Sequence, residues 1–429
     1  MKKIVLKGGS ILGEEIADIT IEDGRISAIG QSLHDDSTVT IDARDCIILP
    51  GLVDLHTHLR EPGKEDSETV LSGSKAGVKG GYVALSAMAN TTPVADTAGV
   101  VEQVWRLGRE AGLLDVFPIG AVTRGLEGVE LSDIGAMADS AARVRIFSDD
   151  GKCVSDPLVM RRALEYIKKF DGVLAQHAQE PRLTENAQMN EGFVSSELGL
   201  KGWPAIAEEA IIARDVLLAE HVGARLHICH LTTAGGVEII RAAKARGVDV
   251  TAEVTPHHLL LTDDLARTYD PVYKVNPPLR TSVDVTALRQ GLADGTIDIV
   301  ATDHAPHPAE SKECEWQEAA FGMLGLETAL PILTLTMIQS GLLTWSQLAD
   351  RMSVTPARIG GYADHGQRIA VGAPANLTVI NPTQSFTVDK DLVSSRSRNT
   401  PFHGMVLPGR ITTTIFQGRI SYSAEGGVS

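Results

Sequence analysis

The chain has 429 residues, enough for one large domain or two to three ordinary ones. With 43% hydrophobic and 22% charged residues it has the composition of a soluble globular protein, and its formal net charge of −16 argues against nucleic acid or an anionic membrane as partner. An anionic small molecule would need a few local cations to hold it against the field of the whole chain.

The amino terminus, MKKIVLKGGSILGEEIADI, carries Glu14 and Glu15 where a signal peptide needs an apolar stretch. No window reaches the roughly 20 apolar residues of a membrane helix. Cys46, Cys153, Cys229 and Cys314 are scattered without CxxC spacing, the pattern of reduced thiols in a cytoplasmic protein. Residues 1–50 hold short β-like runs (KIVLKGG, ADITIEDGRISAIG with a tight EDGR turn, TVTIDARDCIILP), and residues 366–429 have the same texture. The two ends are expected to pair into one small β-sandwich-like domain, with a second domain, 51–365, inserted between them.

In that middle stretch short apolar runs alternate with segments of helical period. The runs are GLVDLHTH, GYVALSAMAN, VFPIGAVT, RIFSDDG, VLAQHA, RLHICHLT, VDVTAEVTPHH and IDIVATDHAPH, and helix-like stretches lie at 97–111, 157–169, 204–221, 233–246 and 284–293. Eight alternations predict an α/β fold of the (β/α)8 TIM-barrel type, its strands buried on both faces and flanked by the β-domain. A doubly wound open sheet is the alternative.

Polar residues collect at the carboxyl ends of these runs. His56, His58 and Arg60 share one strand parity and should project together from the first. Asn90 follows the second run, Asp149 and Asp150 the fourth, His177 the fifth, His230 the sixth, His257 the seventh, and Asp303, His304 and His307 the eighth. The carboxyl ends of barrel strands form the catalytic face. Histidines and aspartates converging there from five strands are the ligand types of a divalent ion such as zinc. His227, of opposite parity to His230, is expected to face the helices. His34, His221, His365 and His403 read as structural, and His257 and His304 as packing residues or neighbours of site residues.

Taken in chain order, PGLVDLHTHLREPG, MANTTP, FSDDG, AQHAQE, ICHLTT, AEVTPHHLLLT, KVNPPLR, ATDHAPH, FGMLGLETALP and RNTPFHG span nearly the whole chain. In these motifs the sequence resembles the amidohydrolase superfamily and, more narrowly, the longer, class I form of bacterial dihydroorotase. The resemblance implies zinc-dependent interconversion of N-carbamoyl-L-aspartate and L-dihydroorotate in pyrimidine biosynthesis, with one or two zinc ions per subunit. It implies that His56, His58 and Asp303 hold one metal and His177 and His230 a second, with Asp150 bridging them. Asp149 is the fallback for the bridge, and Lys152 could in principle carry a carbamate, as a lysine does in hydantoinases.

The same resemblance makes Asp303 the general acid and base. It assigns Arg60 to the substrate carboxylate with help from Asn90 and His307, Asn276 to the ring, and Phe321 and Gly322 to further substrate contacts. Arg280 is read as loop-ordering, and the segment 307–322 as either a lid or a passive surface loop. A homodimer, and association with aspartate transcarbamoylase, are the protein partners to expect. Two other readings stand beside this one: a hydantoinase or allantoinase, and an inactive homologue that serves aspartate transcarbamoylase as a scaffold. The intact ligand set weighs against the scaffold.

Overall fold

Short runs of alternating burial at the two ends of the chain zip into one sheet. The computed structural model describes residues 3–33 and 39–429, so His34 lies outside the described residues. Ile4–Ile11, Glu15–Glu22, Arg25–Gly30, Val39–Asp42 and Ile47–Pro50 join Leu377–Thr387, Val406–Phe416, Arg419–Ser423 and Gly427–Val428 in a nine-stranded sheet. The seam between the two ends is an antiparallel ladder running from Leu377–Pro50 to Ile380–Ile47. The EDGR turn is a tight hairpin with Asp23 and Gly24 at φ 49° and 81°, the left-handed pair that two-residue hairpins require. Leu6, Ile19, Ile21, Ile26, Ile48, Val379 and Ile415 form this sheet's buried cluster.

Parallel strands fill the middle of the chain. Leu52–Thr57, Tyr82–Ala87 and Asp115–Pro118 form a three-stranded sheet. Ile146–Phe147, Val173–Gln176, Arg225–Ile228, Val250–Val254 and Ile299–Val300 form a five-stranded one. Single parallel bridges join the two sheets at both edges, Gly120 to Phe147 and Thr57 to His304. Helices Val70–Lys79, Ala98–Ala111, Pro157–Lys168, Ile206–Val222, Ala234–Ala245 and Ser282–Asp294 lie between successive strands. They start where the sequence offers caps: Thr69 and Thr281 make capping boxes, and Asp156 caps a helix with Pro157 in its first turn.

Both faces of the parallel strands are buried, which explains their nearly continuous apolar runs. One face (Val53, Leu55, Ala84, Ile146, Val173, Ala175, Cys229, Ile299) packs inward on itself. The other (Leu52, Tyr82, Leu85, Val116, Leu226, Ile228, Val250) packs on the helices. Among the described residues no helix is long and apolar enough to cross a membrane.

Two expectations need correction. The first strand ends at Thr57, and its register is irregular between Asp54 and Thr57. His58 and Arg60 therefore reach the site from the following loop, Arg60 in the left-handed region at φ 62°, and not by strand parity. His227 does not face the helices. It shares the inward parity of Cys229, and its Nε2 donates to Glu253 Oε2 at 3.0 Å.

Candidate metal centre

The carboxyl ends of the parallel strands, and the loops leaving them, bring four histidines and two aspartates together in a buried cluster. Asp54 receives the His56 N–H (3.1 Å) and the Thr302 hydroxyl (2.5 Å), tying the first strand to the last at the base of the site. His56 Nε2 lies 3.4 Å from Asp150 Oδ2 and 3.4 Å from Asp303 Oδ1. His58 Nε2 lies 3.3 Å from Asp150 and 3.1 Å from Asp303. On the other side, His177 Nδ1 and His230 Nε2 lie 3.3 and 3.2 Å from Asp150 Oδ1. Asp150 thus stands between the two pairs of imidazoles.

The far nitrogen of three of these rings has a fixed acceptor. His56 Nδ1 donates to Glu253 Oε1 (2.5 Å), His58 Nδ1 to Asn90 Oδ1 (2.9 Å) and His177 Nε2 to Gln179 Oε1 (2.7 Å). A proton on the nitrogen that points away would leave the other nitrogen's lone pair facing the carboxylates, as in metal-ligating histidines. His56 Nε2 is buried and has no hydrogen-bond partner, an orphan that costs free energy unless something else occupies its lone pair. The donor atoms of His56, His58 and Asp303, and those of His56, Asp150 and His230, lie within 4.8 Å of one another. Nitrogen and carboxylate donors at this spacing fit a divalent cation of borderline hardness.

Charge follows the same layout. Burial opposes ionisation of Asp150, but His56, His177 and His230 outweigh it and hold the carboxyl well below its usual range. The same contest, with His56 and His58 opposing burial, brings Asp303 to about 2. Burial disfavours charge on His56, yet Asp150, Glu253 and Asp303 together keep its imidazole well above the ordinary value.

The neighbouring acidic and basic residues are placed elsewhere. Asp149 accepts the N–H groups of Val122 (2.8 Å) and Thr123 (2.9 Å) and the Thr123 hydroxyl, so it holds a loop and turns away from the cluster. Lys152 is exposed beyond the turn. Arg60 is buried, donates from Nε to Pro306 O at 3.1 Å and has Nη2 3.4 Å from His307 Nε2. Burial lowers its pKa only to about 10, so it stays a cation at neutral pH. Burial, followed by the Arg60 charge, pushes His307 down to about 3, and its Nε2 donates to Phe321 O at 2.7 Å.

Gly322 has φ 145°, and a Cβ there would sit 2.8 Å from His307 Nε2, so only glycine lets the chain pass. Asn276 donates weakly to Gln179 Oε1 (3.4 Å) while its own Oδ1 is buried without a partner. Asn90 is occupied by His58 and by the Asp150 carbonyl (3.4 Å), so in this structure it orients a histidine.

His304 lies 3.3 Å from Glu68 Oε2 and receives the Gly325 N–H, and Arg280 bonds Asn190, Trp203 and Thr232, so both order loops. His257 is buried with neither ring nitrogen partnered. Sequence reasoning missed Glu253, which also accepts the His230 N–H at 3.1 Å. Its signal was a single carboxylate inside the strand Val250–Val254, where it is buried.

Parallel strands alternating with helices carry a His/Asp cluster at their carboxyl ends, and comparisons with known proteins name the class. A family model described as "Dihydro-orotase-like" matches residues 45–235. The chain is 64% identical to a dihydroorotase of Streptomyces coelicolor over 98% of both sequences. It is 60% identical to one of Leifsonia xyli over 96% of this chain and 94% of that one. Among solved structures, the L-hydantoinase (dihydropyrimidinase) of Arthrobacter aurescens superposes with a TM-score of 0.86 at 27% identity, covering 100% of this chain and 98% of its own. The chain belongs to the dihydroorotase family.

Proposed function

We propose that this protein is a dihydroorotase of the class I bacterial kind, interconverting N-carbamoyl-L-aspartate and L-dihydroorotate. The observation that carries the reading is the 64% identity to a relative of that name over 98% of both chains. We take residues 51–365 as a closed (β/α)8 barrel, a reading supported by the bridges at both edges of the two parallel sheets. Residues 1–50 and 366–429 we take as one β-domain, since the nine-stranded sheet draws on both ends.

Zinc is the metal this reading assigns. His56, His58 and Asp303 would hold one ion, and His177 and His230 a second, with Asp150 shared. A zinc ion there supplies Lewis acidity and makes water a competent nucleophile near neutral pH. The chain's own groups do the rest. Asp303 takes the proton of the attacking water and passes it to the ring nitrogen as the cyclic amide opens, and the reverse on closure. Arg60 holds the carboxylate that substrate and product share, as a planar charge-assisted fork. Its neighbour His307 fixes the Phe321 carbonyl, and the unpartnered Asn276 Oδ1 is free to accept a ring N–H. Asn90 acts by holding His58, and the Phe321–Gly322 turn closes the carboxylate end.

The described cysteines are free thiols, in keeping with a reducing compartment, and the cytoplasm is the location this reading assigns. A homodimer and association with aspartate transcarbamoylase belong to the same reading on family resemblance. The test is ring opening of L-dihydroorotate by purified protein together with its metal content. Turnover that tracks zinc supports the reading, and zinc-loaded protein without turnover points to the inactive scaffold.

A further inference from the structure

Two lysines sit inside the protein beside the carboxylate end of the pocket, Lys274 at 2% and Lys312 at 6% exposure. Lysines are almost never this buried unless paired. Among the described residues neither ammonium has a carboxylate at ion-pair distance; both are spent on main-chain carbonyls. Lys312 Nζ donates to Ala320 O (2.8 Å), Gly322 O (3.1 Å) and Lys274 O (3.1 Å). Lys274 Nζ donates to Trp316 O (2.7 Å) and Gln317 O (3.1 Å) and lies 4.4 Å from the centroid of the Phe321 ring. Gly322 N–H returns a bond to Lys274 O at 3.0 Å. The carbonyls that Lys312 leaves go to the neighbouring wall: Phe321 O to His307, and Gly322 O also to Asn399 Nδ2 at 3.1 Å.

The Lys312 bonds bracket the Phe321–Gly322 turn, and those of Lys274 hold the Trp316–Gln317 stretch that leads into it. The segment 307–322 leaves the site at His307 and returns to it at Phe321–Gly322, which can pack against His307 only because residue 322 is glycine. Besides the Gly322 N–H bond and the packing of Tyr273 on the Trp316 cluster, the two ammoniums tie the return, Trp316 to Gly322, to the 271–274 stretch, each through more than one carbonyl. Burying a cation to bond carbonyls is expensive, and a hydrophobic side chain would fill either position at less cost.

We propose that Lys312, with Lys274 behind it, is a positioning residue that clamps the Phe321–Gly322 turn against His307 and so shapes the end of the pocket that receives the ligand carboxylate. The proposal rests on the reading that Arg60, His307 and this turn form the carboxylate end. It makes the segment 307–322 a clamped wall of the site, with two buried lysines next to the place an anion enters. Burial lowers Lys312 to about 7 and Lys274 to about 8, and an arriving anion favours their charged forms. In a chain of net charge −16 that is where the local field can favour an anionic ligand.

The experiment uses full-length, metal-loaded protein and the variants Lys312→Met and Lys274→Met, which keep the side-chain length and burial but remove donors and charge. Two readouts are taken: KM and kcat for L-dihydroorotate, and amide hydrogen exchange across 307–322. Loss of charge-assisted bonds should raise KM about tenfold for Lys312→Met and less for Lys274→Met, with kcat held within about threefold. Exchange should accelerate in 307–322 and not in the strands. Unchanged KM and exchange in both variants would overturn the proposal. So would a fall in kcat at constant KM, which would place the clamp in the chemistry. Should Lys312→Met fail to fold, Lys274→Met carries the same two readouts. If wild-type protein does not open dihydroorotate at all, the functional reading fails on that count, while exchange still decides whether the ammoniums hold the segment.

Discussion

In the proposed site, the side that would hold metal and the side that would hold the ligand carboxylate are built by different means. On the metal side, His56, Asp150, His177, His230 and Asp303 leave the ends of five parallel strands. Three of the ligand-type imidazoles are further locked by a side chain, Glu253, Asn90 or Gln179. On the carboxylate side Arg60, Asn276, His307, Phe321 and Gly322 all lie on loops, positioned by main-chain carbonyls and by buried cations. The first arrangement is stiff because the strand framework over-determines it. The second depends on a loop that must be held in place by contacts from outside the strand framework.

Breaking the metal side should cost most. His56→Ala or His177→Ala is expected to lose bound zinc and lower turnover by orders of magnitude, measured as metal per chain and kcat; full metal content with normal rate would remove these residues from the centre. Asp150→Ala should behave the same way, while Lys152→Ala keeps both metal and rate. A requirement for Lys152 together with bicarbonate would instead make the bridge a carbamate. Asp303→Asn should reduce the single-turnover rate roughly 10²–10⁴-fold while orotate still binds. An undiminished rate would mean that another group moves the proton.

On the carboxylate side effects should be smaller and should fall on binding. Arg60→Ala is expected to raise KM for dihydroorotate about ten- to a hundredfold, and Arg60→Lys to recover only part of it, because a point charge lacks the planar fork. The smallest functional effect belongs to Asp149→Ala. It should retain metal but lose stability, by roughly 1–3 kcal/mol for each main-chain donor left unsatisfied, read as a lower thermal midpoint. Loss of metal there would move Asp149 into the centre.

That division also marks what the sequence could disclose. The alternation of apolar runs and helical periods located the parallel strands, because strands buried on both faces leave continuous apolar stretches. The ligand-type residues stood at their ends, where a polar residue after such a stretch is conspicuous. Parity then failed at His58 and Arg60, since the first strand carries a register irregularity and stops at Thr57. It failed at His227 too, whose inward direction is satisfied by Glu253, a buried carboxylate that no spacing rule flags. On the carboxylate side periodicity said nothing. Arg60 and Gly322 depend on positive φ, and His307 on main-chain contacts from distant loops, so only motif resemblance could suggest them. The buried lysines carry no signal of their burial, because burial of a loop residue leaves no pattern in sequence.

Relative turnover of L-dihydroorotate and dihydrouracil, the same ring without the carboxylate, tests the central claim most directly. Measured as kcat/KM on zinc-loaded protein, wild type should favour dihydroorotate strongly, and Arg60→Ala should narrow the ratio by about ten- to a hundredfold through the dihydroorotate KM alone. Equal or better turnover of dihydrouracil by the wild-type protein would contradict the account and place the enzyme with the hydantoinases.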